Sequence, residues 1–337
     1  MRVAVVILNF NGREHLATYL PSVIRENQNQ YTIIIADNAS TDDSIRWLRA
    51  TYPDVQVLKN DSNYGFAGGY NVALTQIEGE FDAYLLLNSD VEVTPNWLQP
   101  LVNEFTANPK VAAVQPKILA WRDKTKFEHA GACGGFLDKY YFPFCRGRIF
   151  DHVEKDEGQY QQTIEVAWTS GAAMLIRADV FHKVGGFDAS FFAHMEEIDL
   201  CVRLQRKGFT LRVVPTSTVY HLGGGTLDYN SPRKVYLNFR NSLFMLVKNH
   251  PRAWFPTLFI RMALDGIAAF KFLFEGKPKL LWMVFLAHVH LYSNLPRLIR
   301  QRKRLSNDKQ TFKQTQFSIV FRYFLKGQKT FDRLKTS

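Results

Sequence analysis

Cysteine is scarce in this chain, and so are the segments that would mark a secreted or membrane-spanning protein. The 337 residues include three cysteines, Cys133, Cys145 and Cys201, with no C-x-x-C spacing. This odd number argues against a disulfide framework or a paired-cysteine zinc site, and it fits a reducing cytoplasm. The apolar run at residues 3–8 is too short for a signal peptide. We therefore expect a cytoplasmic protein.

Long apolar runs and the common nucleotide-binding signatures are also missing. The most apolar C-terminal stretch, Leu280–Leu291, is shorter than the ~20 residues that a spanning helix needs. Residues Asn9–Gly12 read NFNG where a Rossmann dehydrogenase carries G-x-G-x-x-G, and no G-x-x-x-x-G-K-[ST] occurs. A nicotinamide site and a Walker-type phosphate site are therefore disfavoured.

The net charge of the chain is +11, and it arises in the C-terminal part, where acidic residues are scarce. Residues 1–232 hold 21 Lys and Arg against 27 Asp and Glu, whereas residues 233–337 hold 21 against 4, a net charge of +17. Basic helices rich in aromatic residues usually lie on an anionic bilayer surface. Nucleic-acid binding is the competing interpretation. We rank it second, because no nucleic-acid motif accompanies the charge, and predict a peripheral protein on the inner face of the cell membrane.

The body alternates strands with helices. Strands are expected at Arg2–Leu8, Tyr31–Ala36 and Val55–Lys59, and a fourth, unbroken apolar strand ends at Leu87. This order predicts βαβ units and a parallel sheet. Residues 9–12 form a turn before a helix that Asn11 and Glu14 are expected to cap. Pro95 is expected to open a further helix. Residues 166–176 are expected to form a strand that Ser170-Gly171 interrupts.

Polar residues follow two of these strands directly. Asp37 ends the second strand, and Asn88-Ser89-Asp90 ends the fourth. Open α/β sheets bind their ligands at such strand ends. An amide and a carboxylate can hold a divalent cation if a diphosphate supplies further oxygens, although Asp90 would also serve as a simple turn cap. His221, before a glycine run, is either a structural residue or a second metal ligand.

Two further segments suggest a site. Residues 60–71, NDSNYGFAGGYN, contain three glycines that would let a backbone loop approach a ligand closely. A helix over EEIDLCVRLQ has Glu196 and Glu197 in its first turn, where the helix dipole alone would explain them. Asp199 and Arg203 are four residues apart and should pair. Glu197 is turned about 200° from Asp199, so it is the unpaired carboxylate and a candidate base.

Taken together, these stretches resemble a family 2 glycosyltransferase of the GT-A fold, close to the rhamnosyltransferase-like members. The resemblance covers about residues 1–226 and is carried by VAVVILNFNG, IIIADNASTDDS, NDSNYGFAGGYN, LLLNSDVEV, TSGAAMLIR, VGGFDASFFAHMEEIDLCVR and YHLGGGT. It implies a Rossmann-like mixed α/β sheet with helices on both faces. A GT-A domain over 1–232 would divide at about residue 120 into nucleotide-sugar and acceptor parts, with 121–162 crossing the active-site face. Residues 233–337 would form the basic, membrane-associating helical tail.

The resemblance also assigns roles to residues. Asp90 and His221 would bind magnesium or manganese, and Glu197 would be the catalytic base. Asn88 replaces the usual aspartate of the metal motif, which weakens direct ligation there. The nucleotide-diphosphate sugar would contact the following residues: Asn9, Asn11, Asp37, Asn63, Gly65, Phe66, Gly68, Asn88 and Arg240.

The implied function is inverting, metal-dependent sugar transfer to a glycan or lipid-linked acceptor in cell-surface polysaccharide synthesis. The donor would be dTDP-rhamnose or a UDP-sugar. The alternative is a catalytically inactive relative that serves as a nucleotide-sugar-binding or membrane-scaffold subunit of the same pathway.

Overall fold

The computed structural model describes residues 1–27, 30–128, 131–223, 231–251, 254–305 and 312–335. Within these ranges the strands are β1 (Val3–Asn9), β2 (Thr32–Asp37), β3 (Gln56–Lys59), β4 (Ala83–Asn88), β5 (Val91–Val93), β6 (Val111–Ala120), β7 (Gly135–Leu137), β8 (Pro143–Cys145), β9 (Arg148–Ile149), β10 (His152–Val153), β11 (Ile164–Glu165), β12 (Ala173–Arg177) and β13 (Thr210–His221). The α-helices are α1 (Arg13–Asn27), α2 (Ser44–Thr51), α3 (Gly65–Thr75), α4 (Gln99–Ala107), α5 (Ala178–Lys183), α6 (Glu196–Arg206), α7 (Pro232–Asn249), α8 (Trp254–Phe274), α9 (Pro278–Leu305), α10 (Ile319–Phe324) and α11 (Phe331–Lys335).

One mixed sheet forms the centre of the molecule. Its strand order among the described residues is β11-β13-β6-β12-β4-β1-β2-β3, and β5 pairs with β13. Strands β4, β1, β2 and β3 are parallel, whereas β12 is antiparallel to β4 and β6. The predicted βαβ units at the start of the chain are therefore confirmed. Since β4, β1 and β2 are neighbours, their polar ends Asn88, Asn9 and Asp37 meet at one edge.

Helices cover both faces of this sheet. Alternate side chains of β1 point to opposite sides because the side-chain period of a strand is two. Val3, Val5 and Ile7 join a buried cluster with α1, α2 and α4, while Ala4 and Val6 join another with α3, α5 and α6. The expected mixed α/β architecture with helices on both faces is confirmed.

Local structure differs from the sequence expectation at three places in the body. The glycine-rich segment is irregular only over residues 60–64, because Gly65 adopts φ +70° and starts α3. Asn11, at φ +49°, does not cap α1; its Oδ1 accepts hydrogen bonds from the N–H groups of Thr41 (2.7 Å) and Asp42 (3.2 Å). Of the interrupted strand predicted over 166–176, β12 is the part that follows Ser170-Gly171. At Asn11 a tertiary contact overrides a local signal.

Two helix and loop expectations are refined. The helix after Pro95 begins only at Gln99, although its apolar residues 97, 98, 101, 102 and 105 are buried as expected. The irregular segment 121–162 contains a small antiparallel sheet in the order β10-β9-β8-β7. Phe136 of this sheet packs on Phe331 of α11, with ring centroids 4.8 Å apart. Its role toward an acceptor remains a prediction.

The C-terminal residues are helical, as expected, and α7 packs against the body. Helix α7 buries Leu243–Val247 completely, and its Lys248 forms ion pairs with Asp188 and Asp199 of the body. Helices α8 and α9 follow as an antiparallel pair. No helix within the described ranges is long and apolar enough to cross a membrane.

Candidate active site

The first part of the site is the edge where β1 and β2 end. Asn9 is fully buried, and its Nδ2 donates to Ser40 Oγ and Ser44 Oγ, both at 3.0 Å, and lies 3.4 Å from Asp37 Oδ1. Its Oδ1 is buried and makes no hydrogen bond within the described residues. A buried acceptor without a donor is costly, so this atom is suited to a donor group of a ligand. Asn9 and Asp37 are thus brought together as predicted.

Asn38 is a residue of this edge that sequence reasoning missed. It is 1% exposed, and its Nδ2 donates to Asn63 Oδ1 (2.9 Å) and to the Gly65 carbonyl (3.0 Å). Asn60 donates in turn to Asn38 Oδ1 at 3.0 Å. This amide network fixes the start of α3 beside Asp37. The only available signal was its position directly after a strand-end aspartate.

Three residues predicted to line the donor pocket lie in the first turn of α3. Phe66 packs edge-on against Tyr70 and Phe187, at centroid distances of 4.9 and 5.8 Å. Gly68 approaches Tyr64 so closely that an added Cβ would lie 2.8 Å from the Tyr64 Cβ. The predicted residues Asn63, Gly65, Phe66 and Gly68 therefore form one structural unit. Their contact with a nucleotide sugar stays a prediction.

The second part of the site is a buried row of ionisable side chains at the ends of β4 and β13. The β5–β13 register sets His221 opposite Val91, and its Nε2 lies 3.2 Å from Asp90 Oδ1. On the other side, its Nδ1 lies 3.2 Å from Glu128 Oε2. The side-chain amide of Asn88 is 3.4 Å from the same Nε2. Glu128 was not anticipated, because it is a single acidic residue in an irregular segment.

The charges of this row stabilise one another. Burial disfavours the Asp90 carboxylate, but the His221 charge and hydrogen bond outweigh it and hold the pKa of Asp90 below its usual value. Burial likewise disfavours the imidazolium, yet Asp90 and Glu128 raise the pKa of His221 to about 10. Without a metal, His221 is therefore protonated at neutral pH. The glycine run that follows it extends into residues 224–230, which lie outside the described ranges.

The donor set of this row fits a divalent cation only in part. Asp90 supplies a carboxylate and His221 an imidazole nitrogen once its proton is released, both suitable ligands. Among the described residues, however, no group of three or more His, Cys, Asp and Glu side chains could hold a metal. The remaining ligands would have to be oxygens of a bound diphosphate, as the sequence predicted.

The third part of the site is the first turn of α6. Asp199 is fully buried and engaged, with Arg203 Nε at 2.9 Å, Lys248 Nζ at 2.8 Å and Asn249 Nδ2 at 2.7 Å. The predicted Asp199–Arg203 pair is confirmed. A carboxylate held by three donors is unsuited to accept a proton during catalysis.

Glu196 and Glu197 have the opposite character. Burial raises the pKa of Glu197 to about 7, against the opposing effect of backbone hydrogen bonds. Burial and the neighbouring Glu197 charge raise the pKa of Glu196 well above its usual value. Glu196 is thus harder to ionise than an ordinary glutamate, and its service to the helix dipole stays a prediction. Glu197 is partly exposed, and its Oε2 makes no hydrogen bond within the described residues.

Gly171 connects the three parts. A Cβ added there would lie 3.2 Å from Phe66 Cζ and 3.7 Å from Glu197 Cβ. The adjoining Ala172 accepts a hydrogen bond at 2.9 Å from the backbone N–H of Asn88. The backbone at 171–172 therefore passes between β4, α3 and the candidate base Glu197. A side chain here would fill the space where these elements converge.

Arg240 lies apart from this convergence. Its Nη2 donates to the carbonyls of Ser190 and Phe191, both at 3.1 Å, and its Nε donates to Asn241 Oδ1 at 2.8 Å. The guanidinium is therefore engaged with the segment before α6. Its predicted contact with a diphosphate stays a prediction.

Comparison with known proteins identifies relatives of the chain. The family model described as "Glycosyl transferase family 2" matches residues 4–185, more than half of the chain. N-acetylglucosaminyl-diphospho-decaprenol L-rhamnosyltransferase of Mycobacterium tuberculosis is 25% identical over 283 residues, covering 79% of this chain and 90% of that protein. Rhamnosyltransferase WbbL of Escherichia coli is 27% identical over 225 residues, covering 64% of this chain and 82% of its own.

Solved structures agree on the fold. GalNAc-T7 with UDP, GalNAc and Mn²⁺ superimposes with a TM-score of 0.56 at 17% identity, covering 74% of this chain and 48% of that one. The mannosyltransferase PcManGT of Pyrobaculum calidifontis, in complex with GDP-Man and Mn²⁺, gives a TM-score of 0.51 at 13% identity, with coverages of 91% and 85%. At these identities the likeness concerns the fold alone.

Proposed function

Since the chain belongs to glycosyl transferase family 2, we propose that it is an inverting, metal-dependent enzyme that moves a sugar from a nucleotide-diphosphate donor to a lipid-linked glycan. The observation that carries this proposal is the convergence of Phe66, Asn88 and Glu197 around the backbone at 171–172. A residue predicted to line the donor pocket, the strand end predicted to hold the metal and a carboxyl group with a raised pKa all adjoin this backbone.

The chemistry is a single displacement. Glu197 accepts the proton of an acceptor hydroxyl as that oxygen bonds to the anomeric carbon and the bond to the diphosphate breaks. A pKa of about 7 leaves Glu197 ionised in a useful fraction at neutral pH and basic enough to take the proton. A bound Mg²⁺ or Mn²⁺ would offset the charge that grows on the leaving diphosphate. Asp90 and His221 would hold it.

The substrates are inferred from the relatives. Two of them are named as rhamnosyltransferases, and the mycobacterial protein's name gives an N-acetylglucosaminyl-diphospho-decaprenol as its acceptor. We therefore propose dTDP-rhamnose as the leading donor, ahead of a UDP-sugar, and a polyprenyl-diphosphate glycan of cell-surface polysaccharide synthesis as the acceptor.

Donor binding and donor turnover test this function separately. Nucleotide sugars added with Mn²⁺ should raise the melting temperature, because a ligand that binds only the folded state stabilises it by mass action. Slow donor hydrolysis should accompany the shift and stop in EDTA. A shift without hydrolysis or transfer to any lipid-linked acceptor would favour the inactive subunit, and no shift with any nucleotide sugar would contradict the proposal.

We further propose that the enzyme works on an anionic membrane surface. Helices α8, α9 and α10 present large apolar side chains to solvent, with Phe259 70% and Phe274 87% exposed. This apolar surface consists of Phe255, Phe259, Ile267, Phe270, Phe274, Trp282, Phe285, Val289, Tyr292, Phe321 and Phe324. Monomeric soluble proteins rarely expose so many such residues together. The exposed Lys271, Lys277 and Lys279 lie where α8 turns into α9. Glu275 pairs with the first two, but the turn keeps a net positive charge, so anionic lipid is the occupant that matches both apolar and charged groups.

The protein should therefore sediment with phosphatidylglycerol vesicles and be released as salt screens the charges. Each lysine near such a surface contributes about 1 kcal/mol, so changing Lys271, Lys277 and Lys279 to Gln should weaken partitioning on the order of 100-fold. A matched control changes Arg46, Arg49 and Lys59, three exposed cations of the body, to Gln and should bind normally. Equal binding to neutral vesicles, or none to either kind, would count against the membrane surface.

A further inference from the structure

The segment that leads into α6 has an unusual backbone. Phe192, His194 and Met195 adopt φ angles of +65°, +68° and +72°, a region that side-chain-bearing residues populate sparsely. Such conformations persist only where the surroundings hold them, and they concentrate at functional sites. Met195 directly precedes Glu196, and its carbonyl accepts the Asp199 N–H at 2.9 Å. The segment therefore sets the direction in which α6 begins.

One side chain of α7 holds this segment. Asn241 is fully buried, and its Nδ2 donates to the carbonyls of Phe191 (3.0 Å), Ala193 (2.9 Å) and His194 (2.7 Å). An amide group has two hydrogens, so one of them is shared between two carbonyls. The Arg240 Nε donates to Asn241 Oδ1 and thereby fixes the orientation of the amide.

The other side of the segment contacts the donor-side helix. The Phe192 carbonyl accepts the N–H groups of Phe66 (2.8 Å) and Ala67 (3.2 Å) at the start of α3. Only glycine fits at position 65 in this contact, because a Cβ there would lie 2.6 Å from the Phe192 carbonyl oxygen. Residues 191–195 are thus fixed between the helix that carries Phe66 and the helix that carries Glu197.

We propose that Asn241 is a positioning residue, which holds residues 191–195 so that Glu197 faces the reacting centre. This inference rests on the proposed role of Glu197. The hydrogen bonds of Asn241 do not include the Glu197 carboxyl group or the residues at the strand ends. Asn241 therefore acts through the backbone that precedes α6.

Asn241→Ser removes the amide donors while leaving room for water to reach the carbonyls. We expect kcat to fall roughly 10- to 100-fold, because small displacements of a catalytic group are costly, while the KM for the donor changes less than about 2-fold. Gln205→Leu is the matched control. Gln205 is also a buried amide that donates to two carbonyls, Ala167 and Cys201, but from the far end of α6. It should lower the melting temperature without lowering kcat.

A double variant separates positioning from general destabilisation. If Asn241 acts through Glu197, adding Asn241→Ser to Glu197→Gln should cost less than about 3-fold further, because the base is already absent. If the losses of the two single variants multiply in the double variant, or if Asn241→Ser has a normal kcat, the positioning role alone is overturned. Full activity of Glu197→Gln would overturn the base assignment and with it the route through which Asn241 acts. Should Asn241→Ser not fold, the isosteric Asn241→Asp loses the amide N–H donors, keeps the oxygen that accepts from Arg240 Nε, and is judged by the same ratio of kcat to KM effects.

Discussion

Asp90→Ala should reduce sugar transfer by at least ~10³-fold, because a metal that stabilises the leaving diphosphate contributes several kcal/mol to the transition state. Asp90 is the carboxylate that would hold this metal, and its partner His221 lies 3.2 Å away. Initial transfer rates measured with and without Mn²⁺ provide the test. The same loss should follow when EDTA is added to the wild-type protein.

The control for this variant is Asp82→Ala. Asp82 lies just before β4, and Asp90 lies just after it. Asp82 forms an exposed ion pair with Arg2 at 3.0 Å. Exposed pairs contribute little to stability, so this variant should keep its activity. Asp90→Ala should also lose the extra thermal stability that Mn²⁺ gives in the presence of nucleotide, a readout independent of turnover. Full wild-type activity in EDTA would rule the metal role out.

The second large effect is expected from Glu197→Gln, which preserves shape and removes basicity. General-base catalysis contributes typically 10²–10⁴-fold, so kcat should fall by ~10²–10⁴-fold with donor affinity nearly intact. In the wild type, log kcat should rise with pH and level off above about pH 7, because only the ionised Glu197 accepts the proton. Glu196→Gln is the matched control, one residue away. Should it show the large loss instead, Glu196 is the base.

Glu197→Gln should also stabilise the protein at alkaline pH. The pKa of Glu197 is raised to about 7 in the folded state. Between its pKa in the unfolded chain and about pH 7, the folded protein therefore holds this proton more often than the unfolded chain does. Its contribution is complete at low pH and is lost as pH rises through about 7. Glu197→Gln should therefore melt at a higher temperature than wild type at pH 8, and close to it near pH 5. Differential scanning calorimetry at both values measures this.

Short-range patterns predicted most of the body correctly. The buried strand before Asn88, the strand-end position of Asp37 and the Asp199–Arg203 spacing all follow from periods of two and 3.6 residues. These patterns repeat over several residues, so a single sequence shows them.

The residues that sequence reasoning missed are fixed by contacts between distant segments. Glu128 reaches His221 from 93 positions away. It has no periodic neighbour that would distinguish it from an ordinary acidic residue. Asn11 illustrates the converse, because a local capping signal was overridden by hydrogen bonds to a different loop, at Thr41 and Asp42.

The ion pairs of Lys248 bear on where this protein can be shortened. The similarity to the family model ends at residue 185, but Asp199 is fully buried against Arg203 and Lys248, and Lys248 lies near the end of α7. Removing one partner from a buried pair costs about 3–5 kcal/mol, a large part of the net stability of an ordinary domain. A chain truncated after residue 232 would lose Lys248, Asn249 and the five buried apolar residues before them. We therefore expect the smallest autonomously folding unit to extend past the family match, through α7 at least.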